Sequence, residues 1–419
     1  MQNQYLNIYN ETTELISSRS ATIFNKNRTS SATRFAQYGL PTQKSEDYLY
    51  CPLFDSLSVD WGMNFNRLLF GLKQEDMFRC SVPGIHATTA YVINDVWVGD
   101  EEKIDLGSGA FVSSMSYASQ HHMDLLERYY NKIYADSKDG FILLNEMFAQ
   151  EGVFVYVPKN VQVELPLQVV NMMRAGMDVM VNSRNLIVVE ESAELYCIEC
   201  DHAFDSNRYF ASRVTEVFVA ANAKLHFCAM ESSSPLMNNL RKYAVSMQRD
   251  SRLNMSFYGL TNGNTRNDVE VDMHGEGAEV WLGGMLLGDK EQRCENFTTI
   301  RHKVSNCRSE ELYKYIVDDK AVAGFSGRIL VEKGAQKTES HQTNRNISLS
   351  KDARILGRPQ LEIYADDVKC GHGATTGMLD QSALFYMQQR GIALKEARLL
   401  LLQAFSADVV DKIHIDALR

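Results

Sequence analysis

LIVVEESAELYCI (residues 186–198) and TEVFVAANAKLHF (215–227) share one plan. An apolar strand runs into a tight polar turn, and a second strand begins six residues after the first one ends. The plan recurs in YAVSMQRDSRLNM (243–255), VEVDMHGEGAEVWL (269–282), RILVEKGAQKTES (328–340) and ISLSKDARILG (347–357). The residues that bracket the turns are Val189/Leu195, Val219/Leu225, Met247/Leu253, His274/Val280, Val331/Lys337 and Leu349/Ile355. Successive turns start 30, 28, 27, 57 and 18 residues apart. The 57 is two periods of about 28, with TIRHKVSNCRSEELYKYIV (299–317) as a degenerate rung between, and only the last interval breaks the rhythm. A unit of this size cannot bury its apolar face alone, so neighbours must stack. Two stacks are possible, a parallel β-helix or propeller-like hairpins. Propeller blades need about 40 residues each, so the spacing predicts the β-helix. An antiparallel sandwich is the remaining alternative.

The periodicity changes on both sides of this region. Val153, Val155, Val157, Val161, Val163 and Leu165 alternate as in a strand. Upstream, Tyr5, Ile8, Tyr9, Thr12, Leu15 and Ile16 have helical spacing within a segment predicted helical over 5–35. GLPTQKSEDY (39–48) reads as an exposed turn, and helical spacing returns over 121–134 and 141–148, with Gly152 as a stop signal. Downstream, Asp380 is a predicted N-cap for SALFYMQQR and Gly391 its stop. A second helix is expected over 395–405, and a third after Ser406 carrying Val409, Val410 and Ile413. The second is apolar on more than one face, which leaves surface either for packing or for a partner. The division expected is 1–151, a helical region with leading strands; 152–378, the β-helix; and 379–419, a helical domain.

Composition narrows the function. Among 419 residues, 43 are Lys or Arg and 53 are Asp or Glu, a formal charge of −10. The chain lacks the clustered cations that a nucleic-acid partner requires. The first twenty residues have no apolar h-region, and no run of about 18 apolar residues marks a membrane span. Eight cysteines are too few for a disulfide scaffold. A soluble, cytoplasmic, reduced protein is expected.

No phosphate loop, dinucleotide fingerprint or nucleophile elbow is present; Gly334-Ala-Gln-Lys337-Thr338 lacks the first glycine of a Walker motif. Cys197 and Cys200 form a CxxC. On a strand, side chains three apart point to opposite faces, so one is expected buried, one exposed, and neither is read as a ligand. Cys370 and His372 differ: two apart on an extended segment, they share a face. A thiolate and an imidazole suit iron or zinc. Two donors are too few for a closed site, so the pair suits a site completed by a second chain or one that holds its cargo loosely, or the two have no common task. Cys51, Cys80, Cys228, Cys294 and Cys307 read as core, and the pair His121-His122 as surface or structural.

GVFVYVPKNVQVELPLQV (152–169), VKCGHGATTGMLDQSALFYMQQRGI (368–392), EARLLLLQAF (396–405) and the early GLPTQKSEDY resemble the SufB/SufD family. The resemblance runs the length of the chain and is greatest to its SufD branch. SufB-like chains carry Tyr-Cys-x-x-Arg-Gly after the solenoid, where this chain has Tyr386-Met387-Gln388-Gln389-Arg390-Gly391. SufD-like chains carry Cys-x-His-Gly-Ala-Thr, which stands here as Cys370 to Thr375. Tyr48 departs from the Trp often found there. The resemblance implies a right-handed parallel β-helix (solenoid) flanked by α-helical domains. It also implies a non-enzymatic scaffold subunit of a complex that builds iron–sulfur clusters with a SufB-like chain and a SufC-like ATPase.

In that picture the two solenoids pair through their C-terminal strands. His372, and with it Cys370, takes part in holding a nascent, transient cluster shared with the partner; this chain alone binds none stably. The ATPase docks on the C-terminal helices, where Phe385, Arg390, Glu396, Leu400 and Leu401 are candidate contacts, and its ATP-driven dimerisation opens the interface. A homodimer in the absence of the partner stays open. The rivals are a SufB-like paralogue, an inert structural oligomer, and a β-helix enzyme acting on polysaccharide through acid pairs such as Asp366/Asp367 or Glu270/Asp272.

Overall fold

A computed structural model describes residues 2–67, 84–99 and 101–419; Cys80 lies outside them. Each corner of the repeat is set by one backbone position. Ser192, Asn222, Asp250, Gly277, Asn306 and Lys337 have positive φ, from 55 to 73°, a conformation that Gly, Asn and Asp adopt at least cost. The residue after each is small and no more than 1% exposed: Ala193, Ala223, Ser251, Ala278, Cys307 and Thr338. The corner amides also tie one coil to the next, as in Asn222 N to Arg249 O and Asp250 N to Glu276 O, both 2.9 Å. One local device thus turns the chain and stitches the stack.

In chain order, helices α1 (Gln2–Ser18) and α2 (Asn25–Tyr38) are followed by short strands β1 (Gly62–Met63), β2 (Thr88–Ile93), β3 (Val96–Val98), β4 (Lys103–Gly107) and β5 (Ala110–Ser114). Helices α3 (Met115–His121), α4 (Met123–Tyr129) and α5 (Gly140–Phe148) lead into the solenoid. Its strands are β6 (Val153–Val157), β7 (Leu167–Met173), β8 (Val179–Val189), β9 (Glu194–Ala203), β10 (Tyr209–Val219), β11 (Lys224–Ser232), β12 (Met237–Met247) and β13 (Arg252–Thr261). They continue as β14 (Asn264–Met273), β15 (Glu279–Gly288), β16 (Arg293–His302), β17 (Arg308–Val317), β18 (Val322–Val331), β19 (Glu339–Ser348), β20 (Arg354–Ile363) and β21 (Lys369–Gly377). Helices α6 (Gln381–Gln389) and α7 (Leu394–Val410) close the chain.

From β6 onward, even-numbered strands form sheet A and odd-numbered strands sheet B, each pairing in parallel with the strand one coil away. The result is a β-solenoid of about eight turns. Sheet A runs from β20 down to β6 and is extended by β5 and β4; sheet B runs from β21 down to β7 and is extended by β2 and β3. Val189, Leu195, Val219, Leu225, Met247 and Leu253 meet inside, in one apolar core that runs from coil to coil. The N-terminal helices cover the outer face of sheet A through apolar packing, as of Tyr5 and Phe148 in one cluster with Phe210 and Leu240, and through buried charge. Arg184 pairs with Glu146 of α5 at 3.6 Å, and Lys242 with Asp139 at 2.9 Å.

The 57-residue interval contains the β16–β17 corner at Asn306, so the degenerate rung is a true coil. The 18-residue interval has a different origin: ISLSKDARILG links β19 to β20, the opposite corner of the coil. Lys337 is not a strand residue; the corner after Val331 is longer, and the first inward residue of β19 is Ser340. The segment predicted helical over 5–35 is two helices, broken between Ser18 and Asn25. The helix expected at 121–134 begins earlier, at Met115, where Ser114 Oγ caps Tyr117 N, and it is interrupted at His122. His122 stacks on Phe111, with ring centroids 4.5 Å apart. Gly152 is not a helix stop. A Cβ there would lie 1.8 Å from Arg184 O, so only glycine lets this backbone meet β8.

Asp380 caps α6 as expected, accepting from Ser382 N and Ala383 N. Ser406 does not cap a third helix. Its hydroxyl donates back to Leu402 O at 3.0 Å, and α7 runs through it. Cys200 is as buried as Cys197, against the expectation of one exposed thiol, although the two do occupy opposite faces of β9 by strand alternation.

Candidate ligand pair and helical platform

Both sheets end at the same end of the solenoid. Among the described residues, β20 pairs only with β18 and β21 only with β19, which leaves one edge of each strand free. Edge strands are usually guarded by charge or proline. β20 carries Arg354, Arg358 and Pro359, whereas β21, KCGHGATTG, has no charge after Lys369.

Cys370 and His372 lie on this last strand, in register with Ser340 and Gln342 of β19. Cys370 is half-buried and packs inward against the cluster of Ile329, Val331, Ala335 and Ala365. Two residues on, His372 shares its face and is exposed at the rim. Burial pushes the Cys370 thiol up, and a backbone hydrogen bond from Ser340 opposes that. Gly373 and Gly377 have open space around them, and Gly371 borders only His341. On the face opposite the ligands, β21 carries these three glycines and the side chains of Lys369 and Thr375. Among the described residues no group of three or more His, Cys, Asp or Glu is placed to hold a metal ion. This chain offers a donor pair at an open edge, a geometry that a second chain can complete.

Helices α6 and α7 form a pair beside this end. Leu379, Leu384 and Ala397 are buried between them, with Leu401, Leu402 and Met387 packed alongside. Phe385 is 64% exposed, Leu400 is 41% exposed, and Arg390 and Glu396 are exposed on the same pair. Leu401 is separated from this group, because its side chain turns into the helix pair. The sequence reading missed Tyr386, Leu394 and Leu399, which are also exposed. The number of consecutive leucines in α7 hid which of them face outward.

The far end of α7 is anchored on the outer face of sheet B. Val409 and Ile413 pack against Cys228, Tyr258 and Trp281. Tyr258 Oη donates to Val409 O at 3.0 Å, and Lys314 Nζ reaches Phe405 O and Asp408 Oδ1, each at 2.5 Å. One continuous helix therefore links the apolar platform to the sheet that carries the ligand pair.

Of the acid pairs considered for glycan chemistry, Glu270 and Asp272 are taken up in ion pairs. Arg301 spans Glu270 and Asp272 at 2.7 and 3.0 Å, and Lys303 adds a bond to Asp272 at 2.7 Å. Asp367 is held at a corner by its backbone alone: its carbonyl accepts from Lys337 N and its amide donates to Gln336 Oε1. Among the described residues, no helix is long and apolar enough to cross a membrane.

Residues 171–405 match the family described as "SUF system FeS cluster assembly, SufBD core domain", and residues 1–169 match "SufBD protein N-terminal region". The chain is similar to the iron–sulfur cluster assembly protein SufD of Escherichia coli, 26% identical over 387 residues, which span 91% of this chain and 87% of that one. A SufBD family protein of Synechocystis is 26% identical over 415 residues, 97% and 91% of the two chains. The SufD of Bacillus subtilis is 29% identical over 315 residues, 74% and 72% of the two chains.

Proposed function

Because the chain belongs to the SufB/SufD family of iron–sulfur cluster assembly proteins, we propose that it is the SufD-like, non-enzymatic scaffold of a SufBCD-type complex. A SufB-like chain pairs along the free edges of β20 and β21, and a nascent cluster is held between the two chains. The observation that carries this reading is the placement of Cys370 and His372 on one face of an uncovered edge strand. Met387, at the place of the SufB-type cysteine, is packed into the α6–α7 pair, which supports the SufD-like role.

The chemistry follows from separation. A thiolate or imidazole from each side of an interface chelates only while the sides stay together, and moving them apart weakens every bond to the cargo. A SufC-like ATPase docks on the face that includes Phe385, Arg390, Glu396 and Leu400. Its movement is passed along α7 to β13, β15 and β17, against which the helix is fixed by Tyr258, Trp281 and Lys314.

The test is His372→Ala, co-expressed with the SufB-like and SufC-like partners. Because His372 is exposed at the strand edge, folding and complex formation are expected to persist, with iron and sulfide in the purified complex greatly reduced. Undiminished iron and sulfide in the intact mutant complex would remove the ligand role.

A further inference from the structure

Two rows of side chains run along the inner wall of sheet B from coil to coil. One reads Leu195, Leu225, Leu253 and Val280, and then Ser309, Ser340 and Cys370. The next reads Cys197, Phe227, Met255 and Leu282, and then Glu311, Gln342 and His372. Both rows change from apolar to polar two coils before the ligand pair. Stacking does not call for this change, since buried polar groups are unfavourable unless fully paired.

The polar residues are linked behind the ligands. Gln342 Nε2 donates to Glu311 Oε2 at 2.5 Å. Ser309 Oγ lies 2.7 Å from Ser340 Oγ and 2.9 Å from His302 Nε2. Glu311 and Gln342 are each 1% exposed. The space for the Gln342 amide exists because residue 327 is glycine; a Cβ there would lie 2.1 Å from Nε2. Burial pushes the Glu311 carboxyl up to about 7, with the hydrogen bond from Gln342 opposing. The side-chain carbonyl of Gln342, Oε1, is buried without a partner, and Gln342 stands in register with His372 on the neighbouring strand.

We propose that Gln342 is the positioning residue for His372: its free carbonyl accepts a ring N–H of the imidazole, Glu311 holds the amide from behind, and the other ring nitrogen is left with its lone pair toward the cargo. An imidazole binds a metal through its unprotonated nitrogen, and the hydrogen bond made by the other nitrogen selects which one that is. The proposal rests on the ligand role given to His372 above, but its test does not need the cluster.

The full chain is labelled with nitrogen-15 at histidine, and His372 is assigned by the signals lost in H372A. Long-range proton–nitrogen spectra report the tautomer. In the wild type the two ring nitrogens of His372 should have widely separated shifts, as in one fixed tautomer. In Q342L and in E311L they should move together toward an average, whereas Q342E and E311Q keep an acceptor in place and should retain the separation. Q342M, with the same side-chain length, replaces Q342L if thermal melting shows that Q342L does not fold. Averaged shifts in the wild type, or undiminished separation in folded Q342L or Q342M, would overturn the proposal. Failure of the cluster test on His372→Ala with fixed tautomer intact would instead remove the ligand role and leave the positioning contact standing.

Discussion

Leu400 and Leu401 are adjacent in sequence and opposite in expected consequence. Leu400 is 41% exposed, whereas Leu401 packs against the core of the α6–α7 pair. Fully burying a leucine side chain is worth about 1.5–3 kcal/mol. The part of Leu400 still open to a partner is therefore worth about 0.6–1.2 kcal/mol. Leu400→Ala should weaken ATPase binding about three- to eightfold. Leu400→Asp should do far more, because docking would bury a carboxylate against an apolar surface at a cost of several kcal/mol. Loss of affinity by more than about a hundredfold is expected, with the melting temperature almost unchanged, since surface substitutions alter stability by about 0.5 kcal/mol or less.

Leu401→Asp should invert the pattern. It removes packing worth about 2–5 kcal/mol and places a charge beside Leu379 and Leu384. The helix pair should open locally while Val409 and Ile413 keep the end of α7 on sheet B. Calorimetric titration of the purified chain with the SufC-like ATPase, together with thermal melts, separates the two effects. Wild-type affinity in a folded Leu400→Asp variant would refute the assignment of this face.

The buried charges give two further expectations. At Asp139 burial acts to raise the carboxyl, but Lys242 and the hydrogen bonds from Tyr48 and Phe141 N outweigh it and hold it below its ordinary value. Its contribution to stability is therefore present above about pH 4 and is lost as pH falls through the folded value. Asp139→Asn should cost about 3 kcal/mol at pH 7, the lower end for a broken buried pair because Asp268 still faces Lys242. Denaturant titrations should show the gap closing in acid, and a gap that is constant with pH would count against the pairing. Glu311 has the opposite sign: the folded carboxyl keeps its proton while the unfolded one ionises, so stability should fall between pH 4.5 and about 7 and then level off. The drop is roughly 3 kcal/mol. Glu311→Gln should abolish it, and an unchanged pH slope in that variant would exclude Glu311 as its source.

The solenoid was legible because its corners are local. The left-handed residue, the small buried residue after it and the strand alternation on both sides all fall within one short window. The reading failed where that window changed length, as at Lys337, and where one helix carried a residue that normally marks a start, as at Ser406. A serine within a helix can satisfy itself by bonding to the preceding turn, so sequence alone does not separate the two uses. Cys370 and His372 were visible as a pair through strand geometry, but their position at a free edge needed the count of coils. Gln342 and Glu311 were missed because polar residues in a degenerate rung do not by themselves declare a face; only register shows that they point inward. Gln342 precedes His372 by one coil, just as Ser340 precedes Cys370, so a known repeat length is the signal that could have found them.

The guarding of the two free edges also bears on how the pair is used. β20 has arginines and a proline, the ordinary defences against unwanted strand pairing, whereas β21 has only Lys369 at its start. A small, uncharged strand is a poor end for a lone solenoid and a good seam for a second one. Because Cys370 faces the interior rather than the outer surface, cargo held there would sit between two solenoid ends, screened from water by both. Access then depends on the seam, and α7 bears on β17, two coils behind it. A pull at the helical platform reaches the ligands through residues 378–380, which join β21 to α6, and through the β17–β19–β21 ladder, the three strands that carry Glu311, Gln342 and His372. Tilting this ladder would shift the ligand and the group that orients it together. The donor pair would therefore leave the cluster as a preformed unit and be ready to receive the next one without rearranging.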